Sequence, residues 1–317
     1  MKSSLLMLFG LAIGVNAFSQ IEITTNHLPD EGDVLIQQNV VQNTQVDVAI
    51  TGAATVWDFD DYFTPLGAPT VTNCISISTT PFTFQLFFNN PFDQEHDSDY
   101  ATGIDQLDLA GQFTVEDAYF YYQNRTDRFA NTGMAASLNS IPLGAQSTPV
   151  DVIYELPLQF ENESSSYSEI NFEVPTMFYY RLQQTRTNIV DGYGTLIING
   201  NTFDVLRVRS EIEATDSVYV DQFGFGFNLP RPLTVEYKWL SQDFIVPVLQ
   251  INTQNGIATT TQTADIYTSV EELSNALDLN VYPNPAVESI QINGSFSGNA
   301  SVMIRGSFRK RSFHKKN

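Results

Sequence analysis

Four acids alternate along Asp93-Gln94-Glu95-His96-Asp97-Ser98-Asp99. Calcium takes roughly six to eight oxygen ligands, and alternating carboxylates in one loop can supply several of them. Asp93, Glu95, Asp97 and Asp99 therefore form a candidate calcium site, which Asp58, Asp60 and Asp61 join only if the fold brings them near. An EF-hand-like loop also needs glycine at its sixth position and a bidentate glutamate at its twelfth, and neither is present. The plainer account is a solvated acidic loop.

A second pattern is aromatic. Phe223, Phe225 and Phe227 alternate with Gly224 and Gly226, so the three rings face one side of a strand. A flat exposed row of rings can stack on sugars and is a candidate ligand-binding platform; core packing is the competing use of such rings. For hydrolysis of a glycoside, two carboxyl groups must converge. With 36 acids in the chain, some pair meets that condition by chance and nothing selects one, so no catalytic residue is assigned. The three histidines are scattered and Cys74 is alone, so no zinc-ligand spacing and no internal disulfide arises. Phosphate-loop, dinucleotide and nucleophile-elbow motifs are absent.

Charge narrows the partners. The chain of 317 residues has a formal charge of −21, yet residues 21–304 hold all 36 acids and only eight bases. Such a body repels nucleic acid and anionic lipid. Residues 1–19 combine Lys2, the apolar run Leu5–Gly14 and small residues near Ala17 and Ser19. That is the pattern of a secretory signal peptide handled by the Sec translocon. Ten apolar residues make a helix of about 15 Å, half of a bilayer core, and no later run is long enough for a transmembrane helix.

The elements that must position these groups are strands. Period-two alternation marks Phe82–Phe88, Phe203–Arg209, Thr234–Leu240 and Ile245–Ile251. Asn199-Gly200 is the best hairpin turn, because both central residues of a type I′ turn need positive φ. Only Asp97–Ala110 and Val270–Leu277 have a helical look. The expectation is an all-β body over residues 20–268, an antiparallel β-sandwich whose two halves could meet near residues 140–149.

Leu28–Asp33, Trp57-Asp58-Phe59, Asp191–Leu196 leading to Val205–Val208, and Tyr237-Lys238-Trp239 leading to Pro247–Leu249 resemble the landmarks of a secreted β domain of Bacteroidota that carries no assigned activity. After a linker at 269–278 comes Tyr282-Pro283-Asn284-Pro285-Ala286, followed by Ser289–Ile292. This resembles the opening of the type A C-terminal sorting domain of the type IX secretion system, an Ig-like β-sandwich recognised at the outer membrane. The resemblance implies that Tyr282, Pro283, Asn284, Pro285 and Ala286 form the sorting motif, with the type IX outer-membrane machinery as partner. It holds for residues 279–304. Residues 305–317 then carry six bases and no acid, where the family continues with further strands. A one-base frameshift explains this abrupt tail and implies a shortened, partial sorting domain; a basic tail for an anionic surface is the rival account. Asp216-Ser217-Val218 also resembles an O-glycosylation motif of Bacteroidota.

The functional expectation is an exported type IX cargo, at the cell surface or in the medium with a complete sorting domain and periplasmic with a truncated one. Its body is expected to be a non-catalytic interaction or adhesion module for a glycan or surface protein. The alternative is a secreted hydrolase of polysaccharide or peptide with an unidentified carboxylate site.

Overall fold

The computed structural model describes residues 21–104, 115–174, 176, 178–221, 224–267, 280–282 and 291–293. The chain divides into two compact units between Tyr267 and Thr268. In the second unit, β16 (Asn280–Tyr282) pairs antiparallel with β17 (Gln291–Asn293). The leader at 1–19, the linker, Pro283–Ala286 of the sorting motif and the basic tail lie outside the described residues.

In the first unit the strands are β1 (Val34–Gln42), β2 (Gly52–Asp58), β3 (Phe63–Pro65), β4 (Thr70–Ile75), β5 (Tyr100–Gly103), β6 (Val115–Asn124), β7 (Arg128–Leu138) and β8 (Ile141–Glu155). They continue as β9 (Glu163–Val174), β10 (Phe178–Ile198), β11 (Asn201–Val220), β12 (Phe225–Pro230), β13 (Thr234–Leu240), β14 (Leu249–Gln254) and β15 (Ile257–Ala264). Hydrogen bonding runs β10-β11-β13-β14-β15-β1-β4-β5-β6-β7-β8-β9 and returns to β10, so twelve antiparallel strands close into a barrel. Strands β2, β3 and β12 pair with β10, β1 and β11 outside this ring.

This corrects the expected β-sandwich. Alternation requires that a strand have two unlike faces, but it does not say whether the sheet stacks on a second sheet or curls onto itself. Here every strand of the ring has a partner on both sides, and residues 141–155 run as one strand of it. The inside is identified by its contacts. Cys74, Tyr100, Phe129, Tyr154, Val190, Leu206 and Leu240 come from seven different strands and meet in one buried cluster, which strands across a ring can do only through its lumen. Ile23, Leu28 and Leu158 join the cluster, and Ile23 bridges Leu158, so the N-terminal segment stoppers this end.

Two further cores lie on the outer wall. Trp57 and Phe59 pack edge-on against Trp239, with centroids 6.2 and 5.8 Å away, beside Leu196, Val205 and Ile251. A register shift between Val190 and Gly192 lets one strand serve both cores, because it turns Val190 inward and Leu196 outward. The parallel strand β2 approaches β10 so closely that a Cβ on Gly194 would stand 2.0 Å from the Thr55 carbonyl oxygen. Asn199 and Gly200, with φ of 49° and 70°, make the expected β10–β11 turn.

The third core corrects another expectation. Phe82–Phe88 is a helix, α1, not a strand. Its buried rings, Phe84 and Phe88, are four residues apart, while Phe82 and Leu86 face outward. Phe88 stacks on Tyr121 at 3.9 Å, where a Cβ on Gly133 would crowd it, and a Cβ on Gly144 would run into the neighbouring Phe87 ring. The helical look of Asp97–Ala110 gives way to strand β5 at Tyr100–Gly103, with residues 105–110 outside the described part.

Candidate functional site

The acidic loop follows α1, and its carboxylates are divided among local partners. Asp93 Oδ2 lies 2.9 Å from His96 Nδ1 and accepts from the Gln146 amide. The His96 ring is buried, with Nε2 3.0 Å from the Ser147 carbonyl oxygen, so the loop is pinned to β8. Burial alone would raise the Asp93 carboxyl, but His96 and Gln146 hold it below the usual range. Asp97 and Asp99 face Arg125 at 3.8 and 3.2 Å. Burial pushes Asp99 up despite the Asn124 N–H and Arg125. Glu95 is exposed on the wall of a concavity of about 760 Å³ shared with Arg125 and Arg128. Among the described residues no three acidic, histidine or cysteine side chains converge as metal ligands.

The lumen holds a group that sequence reasoning missed. Arg186 on β10 bridges Asp151 on β8 and Glu236 on β13, at 3.1 and 3.4 Å, and Lys238 Nζ bonds Glu236 at 2.7 Å. The register places them inward. Asn188 pairs with Ser210 and Ser210 with Glu236, in line with Val190, Val208 and Lys238. Two cations and two anions compensate one another, so this is a structural tie across the barrel. Cys74 lies in the same lumen, where burial, aided by Asp33 and Asp30, pushes its thiol up to about 12. At that value it is a core residue and not a nucleophile.

Beyond this ionic group the inner face carries Gln184 and the Asp216–Arg231 pair among apolar side chains as the strands extend past the barrel. No register shift interrupts β10 between Phe178 and Val190, so Tyr180 and Leu182 share the face of Arg186. Phe172 on β9 packs on Phe178 and Tyr180 at 5.6 and 5.3 Å, and Val218 on β11 lies between Tyr180 and Phe227. The face ends on β12, where Phe225, Phe227 and Leu229 are 62%, 48% and 57% exposed. Phe225 and Phe227 sit 6.1 Å apart on one side, as their spacing implies, and Phe223 lies outside the described residues. Among the described residues β12 pairs with β11 alone, so its other backbone edge is open.

The outer wall is largely polar along β9, where Glu163, Ser165, Tyr167, Glu169, Asn171 and Glu173 alternate outward, with Arg181, Gln183, Thr185 and Thr187 of β10 beside them. A lipid-facing barrel would show an apolar band there. No helix of the described residues is long and apolar enough to cross a membrane. Ser217, the acceptor of the O-glycosylation-like motif, is buried between β10 and β12, and Asp216 is held by Arg231 and Tyr180.

Compared with known proteins, the chain matches no family model, no curated protein and no solved structure.

Proposed function

We propose that the chain is an exported binding protein whose barrel contacts its partner without catalysis and whose C-terminal unit addresses it to type IX secretion. The observation that carries the binding reading is the row Phe225, Phe227 and Leu229, apolar and solvent-facing on a strand whose outer edge has no partner among the described residues. Large rings left in water at a sheet edge cost solubility, and a contact surface is the use that offsets this. The export reading rests on the leader-like residues 1–19 and on Tyr282–Ala286.

Replacing both rings (Phe225→Ser with Phe227→Ser) is expected to leave the melting temperature within a few degrees of wild type, since both are exposed. The same variant is expected to abolish attachment of the purified full chain to immobilised cell-surface material. Unchanged attachment overturns the binding reading. For export, the chain is expressed with and without Tyr282–Ala286 in a host with the type IX apparatus. Motif-dependent appearance outside the outer membrane supports the reading. Equal distribution of the two forms overturns it.

A further inference from the structure

On the opposite face of the same strands the sheet forms a saddle with a different chemistry. Where β9, β10 and β11 run together, their outer side borders an open hollow of about 410 Å³. Two adjacent rungs of the ladder make its floor. In one, Tyr167, Thr185 and Glu213 stand side by side on the three strands. In the next stand Glu169, Gln183 and Thr215. Strand and rung spacings make this patch about 10 Å by 7 Å. Leu233, Pro230 and Arg231 wall the far side, with the Arg231 guanidinium neutralised by Asp216 at 2.7 Å.

The groups on this floor fall into two sets. Tyr167, Glu169 and Gln183 are locked together: the Tyr167 hydroxyl donates to Glu169 Oε2 at 2.8 Å, and Gln183 Nε2 donates to both, at 2.8 and 2.9 Å. The ring is therefore fixed while 44% exposed. The side chains of Thr185, Thr215 and Glu213 have no hydrogen-bond or ion-pair partner among the described residues, and two hydroxyls and a carboxylate thus face the hollow.

We infer that this saddle binds a neutral glycan. A pyranose offers hydroxyls that donate and accept in equal measure, matching Thr185, Thr215 and Glu213. It also offers an apolar C–H face, matching the Tyr167 ring and Leu233. The prior locking of Tyr167 and Gln183 lowers the entropy lost on binding. Anionic glycans are repelled by Glu213 and by a body with 36 acids. A cationic partner finds only one unpaired carboxylate here. The site shares no residue with the Phe225–Leu229 row, so it stands or falls separately from the proposed function.

The test is affinity electrophoresis of the full chain through gels containing laminarin, xylan, mannan or soluble starch, with alginate as the anionic counter-probe. Retardation by at least one neutral polysaccharide is expected. Tyr167→Ala should abolish it and Glu213→Gln weaken it about tenfold, while the Phe225→Ser, Phe227→Ser variant migrates like wild type. A melting curve checks that each variant is folded, and Tyr167→Phe, which keeps the ring, should retain part of the retardation. The inference is overturned if no neutral polysaccharide retards the chain or if alginate retards it equally. It is overturned too if Tyr167→Ala and Glu213→Gln bind like wild type. Loss confined to the Phe225→Ser, Phe227→Ser variant overturns it as well, and leaves the binding reading intact.

Discussion

Arg207 lies against Trp239, with its guanidinium carbon 5.1 Å from the indole centroid and equally far from the Tyr237 ring. It is fully buried, and its two terminal nitrogens donate to the carbonyl oxygens of Ile50 and Val48. A cation on the outer wall of β11 thus fastens the loop that leads into β2, the strand that carries Trp57 over the larger outer core. Asp191 supplies the opposing charge at 3.5 Å, and burial lowers the arginine pKa and raises that of the aspartate.

Removing one member of such a pair strands the other. Arg207→Met is expected to cost about 3–5 kcal/mol, because Asp191 and two loop carbonyls lose their partner. The double variant with Asp191→Asn should recover part of that loss. Urea unfolding of both proteins, read at constant slope, checks this; a single variant as stable as wild type would refute it.

Glu236 sets an acid limit. Burial alone would raise its carboxyl, but Lys238 and Arg186 hold it below the usual range. Its contribution is therefore full above the unfolded value of about 4.3 and is lost as pH falls through the lower folded value. Glu236→Gln should destabilise by about 3 kcal/mol at pH 7. The gap between variant and wild type should narrow below about pH 4. Chemical denaturation at pH 7, 5, 4 and 3 measures it, and a gap constant with pH would remove Glu236 from this role.

Gly194 and Gly200 separate close approach from conformational freedom. Both have positive φ, but a Cβ at Gly200 meets only open space, whereas at Gly194 it meets Thr55 backbone. Gly200→Ala should cost about 1 kcal/mol. Gly194→Ala should cost about 3 kcal/mol or more and loosen β2, shifting tryptophan emission to longer wavelength as Trp57 becomes wetter. Equal losses at the two sites would contradict the parallel β2–β10 contact.

Much of the strand content was legible because alternation is local. Thr234–Leu240 emerges as β13 with those bounds, and Asn199-Gly200 as the hairpin turn between β10 and β11. Closure was not legible, since Leu206 and Arg207 point to opposite faces in a sandwich and in a barrel alike. Phe82–Phe88 misled because three aromatic side chains at even positions and one at an odd position satisfy periods of two and four together; only the seat at Gly133 and Tyr121 decides between them. At the acidic loop, the spacing of Asp93, Glu95, Asp97 and Asp99 gave no sign of His96 reaching β8 or of Arg125. The lumen charges Arg186 and Glu236 are 50 residues apart and signalled only by being charged in alternating strands.

The seam of the barrel has a consequence for the order of folding. Strand β1 lies between β15 and β4, with Gln37 opposite Ala264 on one side and Thr70 on the other. A chain emerging N-terminus first can form its hairpins one after another, but the ring cannot shut until its residue 264 has arrived. Contacts of such sequence separation are slow to make. The barrel therefore stays an open ribbon until the last strand of its own body seals it.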